Sequence, residues 1–103
     1  MRVGVYYNNR DVRIEERPIP KIGPGEMLVK VIASGICGTD VMEWYRIKKA
    51  PRILGHEIAG EIVESKTKKF KVGQRVFVSH HVPCNACKYC LAGDHTACGT
   101  LHS

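Results

Sequence analysis

Pro83-Cys84-Asn85-Ala86-Cys87-Lys88-Tyr89-Cys90-Leu91-Ala92-Gly93-Asp94-His95-Thr96-Ala97-Cys98 carries four cysteines in the pattern C-x2-C-x2-C-x7-C. The stretch shows no hydrophobic period of a strand or an amphipathic helix, so its order needs another source. Four soft thiolates this close together can complete the tetrahedral shell that structural Zn²⁺ prefers. A loop without a core then draws its folding free energy from the metal. Buried or disulfide-paired cysteines are the plain alternative, and an iron–sulfur cluster is another. The bacterial ferredoxin motif opens with the same C-x2-C-x2-C but places its fourth cysteine after three residues, before a proline. Here the gap is seven residues and Gly99 follows. Zinc is therefore expected in a lobe spanning residues 83–99.

Around this lobe the 103 residues allow one domain at most, with 44% hydrophobic and 25% charged residues and no low-complexity segment. No apolar run approaches the roughly 20 residues needed to span a bilayer. The start, Met1-Arg2-Val3-Gly4-Val5, has no signal-peptide core, and a cytoplasmic location is expected. Five cysteines in such a chain point to metal or redox chemistry before disulfides. The formal net charge of +6 would attract anions, though four thiolates around one Zn²⁺ would lower it by two. Basic residues gather at 46–52 and 66–71 without interleaved aromatics. These runs read as solvated faces, and a nucleic-acid partner is not expected.

Upstream the texture is β. Val3, Val5 and Tyr7 alternate, Asn8-Asn9-Arg10-Asp11 supplies turn chemistry, and residues 12–16 alternate again. Gly23-Pro24-Gly25-Glu26 is a strong turn signal ahead of the β-branched run over 27–33. Further strands are predicted over 58–63 and 74–79. Between them, Asp40 with Glu43 three residues later forms a weak capping box for one or two helical turns over 40–45. Short strands with such punctuation suggest a small barrel or sandwich rather than a βαβ repeat.

Four motifs in order cover most of the chain: Gly35-Ile36-Cys37-Gly38-Thr39-Asp40, Gly55-His56-Glu57 with Gly60, Val72-Gly73-Gln74-Arg75-Val76, and the four-cysteine lobe. Together they resemble the amino-terminal catalytic domain of the zinc-dependent medium-chain alcohol and polyol dehydrogenases. Cys37-Gly38-Thr39-Asp40 leans toward the sorbitol and threonine dehydrogenase branch. The resemblance implies a mainly β, GroES-like β-barrel over 1–103, with a short helix and a projecting zinc lobe. It implies structural zinc on Cys84, Cys87, Cys90 and Cys98, and a second, catalytic zinc on Cys37 and His56. By composition alone, Cys37 would be a small buried thiol and His56 a satisfied histidine.

Glu57 maps onto a glutamate that is usually adjacent to the metal and sometimes a ligand, and the family's distant third ligand has no counterpart here. Thr39 occupies the position of a hydroxyl that relays the substrate proton, a role that open-site zinc makes useful by polarising the alcohol oxygen. Three residues beyond that hydroxyl many relatives carry a histidine, whereas this chain has Met42. Trp44 and Tyr45 fall near the substrate pocket by analogy, and packing explains them equally well. His80, His81, His95 and His102 match no ligand position. The implied parent reaction is reversible oxidation of a small secondary alcohol or polyol with NAD(P), in a homo-oligomer.

A dinucleotide fingerprint is missing, since Gly23-Pro24-Gly25-Glu26-Met27-Leu28 lacks the third glycine and a following helix. The coenzyme domain is therefore expected to be absent, and the chain inactive by itself. Two alternatives stay open: half of a split enzyme completed by a nucleotide-binding chain, or a zinc-stabilised binding module.

Overall fold

The computed structural model describes residues 1–101, and His102, named above, lies outside them. Strand β1 (Arg2–Asn8) and strand β2 (Asp11–Glu16) form a hairpin with Arg2 opposite Glu16 and Asn8 opposite Asp11. The Asn8 side-chain oxygen accepts the Arg10 N–H at 2.8 Å, which is how asparagine favours such a turn. Strand β3 (Met27–Gly35) follows the turn at Gly23, where Glu26 N–H donates to the Gly23 carbonyl at 3.2 Å and Gly25 has φ +75. A strand, not a helix, follows that glycine pair, so it is a turn and not a phosphate cradle.

A two-residue strand β4 (Arg52–Ile53), which no sequence signal marks, pairs with the other side of β1. Strand β5 (Glu57–Ser65) lies between β3 and β6 (Arg75–Val78), antiparallel to both. The result is two three-stranded sheets, ordered β2-β1-β4 and β3-β5-β6. The fold is mainly β, as expected.

Two local expectations are revised. Val5 and Tyr6 are both buried, at 2% and 4% exposure, so β1 does not follow simple alternation. Consecutive strand residues point to opposite faces, so the strand is covered on both faces at this point. The helix expected over 40–45 runs from 38 to 49 in three pieces: a 3-10 turn (Gly38–Val41), helix α1 (Glu43–Arg46) and a second 3-10 turn (Ile47–Lys49). Its capping carboxylate is Asp40, whose Oδ2 accepts the Cys37 N–H at 2.9 Å. Glu43 instead accepts the Asn9 N–H at 2.8 Å. Asn9 sits in the β1–β2 turn, outside the ladder, so a distant carboxylate satisfies a donor no strand can reach.

Gly60 shows why β3 and β5 approach as they do. It lies opposite Val31, and a Cβ there would run into the Lys30 carbonyl and the Val29 side chain. Ile62 beside it is fully buried. Away from this centre the apolar surface is open: Ile36 is 84% and Phe77 74% exposed.

Candidate metal centres

The four cysteines converge although they share no sheet. Helix α2 (Lys88–Leu91) carries Cys90, Cys87 caps it, and a 3-10 turn (His95–Ala97) delivers Cys98. All four are free thiols, with Cys90 and Cys98 buried. Their sulfur atoms lie within 4.8 Å of one another. The Cys84 and Cys90 sulfurs are 3.9 Å apart. Tetrahedral zinc–sulfur bonds of about 2.3 Å require a sulfur–sulfur separation near 3.8 Å, whereas a disulfide needs about 2.05 Å.

The backbone is also arranged for negative sulfur. Ala86 and Cys87 donate their N–H groups to Cys84 Sγ at 3.4 and 3.3 Å, and Cys84 donates to Cys98 Sγ at 3.4 Å. The N–H groups of Cys84 and Leu101 hold the Cys98 thiol down at about 6. Burial pushes Cys90 up to about 12, so its thiolate needs a cation beside it. The donor set fits zinc.

The second cluster is made by sheet register. Gly35 pairs with Glu57 at the end of the β3–β5 ladder. The chain leaving β3 therefore presents Cys37 where the chain entering β5 presents His56. The donor atoms of Cys37, His56 and Glu57 lie within 4.8 Å of one another. Gly35 also keeps this corner clear, because a Cβ on it would come within 2.6 Å of the Glu57 carboxylate. His56 Nδ1 lies 3.6 Å from Asp40 Oδ1, longer than a hydrogen bond but close enough for the carboxylate to bias the imidazole electrostatically. A thiol, an imidazole and a carboxylate suit zinc, with one position of a tetrahedron left over.

Arg46 ties this corner together. Its guanidinium donates to the Thr39 carbonyl at 3.0 Å, to Thr39 Oγ1 at 2.9 Å and to Asp40 Oδ1 at 3.2 Å. The Arg46 and Asp40 side chains are only 14% and 12% exposed. Removing the cation would strand a largely buried carboxylate, so Arg46→Met should cost about 2 kcal/mol of stability. Arg46→Lys should recover only part, since an ammonium cannot make the same fork of contacts. Urea denaturation of the three proteins checks this order.

A family profile described as "Alcohol dehydrogenase GroES-like domain" matches residues 23–103. The chain belongs to that family.

Within the alcohol dehydrogenase GroES-like family, the chain is 43% identical over 107 aligned positions to the sorbitol dehydrogenase of Bacillus subtilis, covering 95% of this chain and 30% of that protein. It is 44% identical over 91 positions to the L-threonine 3-dehydrogenase of Pyrococcus abyssi, covering 81% and 26%. Among solved structures it resembles CAD from Helicobacter pylori complexed with NADP(H), with TM-score 0.76 and 32% identity over 96% of this chain and 32% of that one. The chain thus spans about 30% of the length of the curated relatives it matches.

A cavity of about 1060 Å³ opens at the second cluster in this family member, lined by Cys37, Thr39, His56 and Glu57. Trp44 and Tyr45, left between pocket and packing by sequence, both line it, as does Met42. Arg46, read from sequence as part of a solvated basic run, also lines it, as do His80 and His81, which matched no ligand position. The His80 ring lies 4.7 Å from the His56 ring and 3.9 Å from that of His81. A signal for His80 exists only in strand register. His95 lies apart, in the four-cysteine lobe.

Proposed function

We propose that residues 1–103 are the zinc-carrying, amino-terminal catalytic portion of a dehydrogenase that oxidises a secondary alcohol or polyol with NAD(P). The observation that carries this is the meeting of Cys37, His56 and Glu57 donor atoms at the wall of one cavity. In this reading Cys37 and His56 hold zinc, with Glu57 as an adjacent or third ligand, and Cys84, Cys87, Cys90 and Cys98 hold a structural zinc. Zinc at Cys37 and His56 would supply Lewis-acid polarisation of the alcohol. The relatives support the substrate class through a sorbitol dehydrogenase, and the coenzyme through a structure complexed with NADP(H).

Thr39 is the proton-handling group in this scheme. Its Oγ1 already accepts from Arg46, which leaves its own hydrogen and one lone pair for the cavity. It can take a proton from the alcohol while passing one on. Met42 cannot carry that proton further, so water does. Trp44 and Tyr45, ring centroids 5.9 Å apart, line the same cavity and offer apolar surface to a substrate's carbon chain. The nucleotide site lies outside these 103 residues.

The test is a chimaera. The matching segment of Bacillus subtilis sorbitol dehydrogenase is replaced by residues 1–103, and the product is assayed against secondary alcohols and polyols with NAD and NADP. Turnover that depends on Cys37 and His56 supports the proposal. A folded chimaera with zinc at both sites and no turnover on any of them would refute it.

Five free thiols suit a reducing compartment, and we place the protein in the cytoplasm. We also propose self-association, because Ile32, Ile36 and Phe77 expose 61%, 84% and 74% of their surface. Sedimentation should show a dimer or larger species at micromolar concentration. A clean monomer throughout that range would count against it.

A further inference from the structure

Three of the four basic residues at 46–52 face one cavity. Arg46 ends helix α1, and Lys49 follows three residues later in a 3-10 turn, where positions i and i+3 fall on one side. Arg52 sits in β4, held opposite Tyr6 of β1. All three line the cavity that holds Cys37, His56 and Glu57, whereas Lys48 of the same run does not. Glu57 is the one carboxylate on that wall among the described residues. The Arg46 side chain is spent on Thr39 and Asp40. Those of Lys49 and Arg52 have no ion pair or hydrogen bond among the described residues.

We propose that Lys49 and Arg52 form a subsite for a phosphate monoester, so that the alcohol oxidised at the Cys37–His56 centre is a phosphorylated polyol. The inference deepens the dehydrogenase reading above and rests on it. A divalent ion at that centre balances the Cys37 thiolate and the Glu57 carboxylate, and Asp40 balances Arg46. The charge left over on the cavity wall is that of Lys49 and Arg52. A concave wall carrying one sign of charge focuses its field on an incoming ion. A phosphate monoester is close to a dianion at neutral pH and matches two cations, whereas a carboxylate matches one. Arginine gives a forked contact to phosphate oxygens, and lysine adds a point charge. Arg52 precedes His56 by four residues, so their Cα atoms are at most about 14 Å apart. A polyol chain together with two long basic side chains spans that gap. The carbinol carbon gives its hydride to NAD(P)⁺ and the hydroxyl its proton to Thr39, while the phosphate ester stays intact.

The experiment assays the chimaera described above, with NAD and NADP, against sorbitol, sorbitol 6-phosphate and gluconate. Sorbitol 6-phosphate should exceed sorbitol in kcat/KM by about tenfold or more, chiefly through KM, as charge-assisted hydrogen bonds to an anion imply. Added salt should shrink that ratio by screening. Lys49→Gln and Arg52→Gln should each lower the ratio by about tenfold. Lys48→Gln, off the cavity, should leave it as in wild type. Turnover that depends on Cys37 but favours sorbitol, or a ratio that neither variant lowers, sinks this inference and spares the dehydrogenase reading. Gluconate used as well as sorbitol 6-phosphate would overturn the assignment to a dianion. A folded, zinc-loaded chimaera with no turnover on these or any other polyol or secondary alcohol sinks both. Calorimetric titration of the zinc-loaded 103-residue chain with sorbitol 6-phosphate gives an answer that does not depend on the chimaera's folding. Binding there should be about tenfold weaker in the Lys49→Gln/Arg52→Gln double variant. No binding by wild type, or equal binding by the double variant, would overturn the proposal.

Discussion

Cys87→Ser should release the tightly held zinc and lower the thermal midpoint by roughly 12 °C or more. The lobe it belongs to has almost no apolar packing: its buried residues are Cys90 and Cys98 themselves. Structural zinc contributes apparent binding free energies of about 10 kcal/mol or more in small metal domains. Losing about 3 kcal/mol of that is a modest fraction, and in a domain of this size it moves the midpoint by roughly 12–24 °C. Serine keeps the volume of cysteine but is a poor zinc ligand, so the loss is specific to metal. Metal analysis should find about one equivalent of zinc fewer than in wild type, and no visible iron–sulfur absorption in either. Chelation of wild-type protein should reproduce the variant's melting curve. A metal-free wild type with unchanged stability would show that the four thiols serve packing alone.

The second large effect concerns turnover. In the chimaera described above, Cys37→Ser and His56→Ala should each lower kcat/KM by about a thousandfold, equivalent to about 4 kcal/mol. Each removes a ligand while leaving the cavity wall and its aromatic residues in place. Thr39→Val should be milder, about a hundredfold, because water can replace a proton relay but not a ligand. The isolated 103-residue chain should show no alcohol-dependent NAD(P) reduction at all. Without a held nicotinamide, the positional contribution to the barrier is missing. Turnover by that chain above a Cys37→Ser/His56→Ala control would show that the nucleotide site lies within these residues after all.

The sequence by itself determined a good deal. Cysteine spacing named the lobe, because thiolates a few residues apart need only a loop and an ion to meet. Turn chemistry at Asn8-Asn9-Arg10-Asp11 and at Gly23-Pro24-Gly25-Glu26 set the strand boundaries, because backbone preferences there are local. The pairing of Cys37 with His56 was legible only through resemblance, since nothing in a 19-residue separation requires two side chains to meet.

Tertiary structure alone decided the rest. The β3–β5 register, with Gly35 opposite Glu57, brings Cys37 to His56, and the β5–β6 register brings His80 to His56. It also decided that Asp40, not Glu43, closes the helical cap, and that Glu43 is spent on Asn9. Arg46, placed by sequence in a solvated basic run, turns inward onto Thr39 and Asp40 for the same reason. Hydrogen-bond partners distant in the chain become available only when sheets pair, and register is a collective property of whole strands.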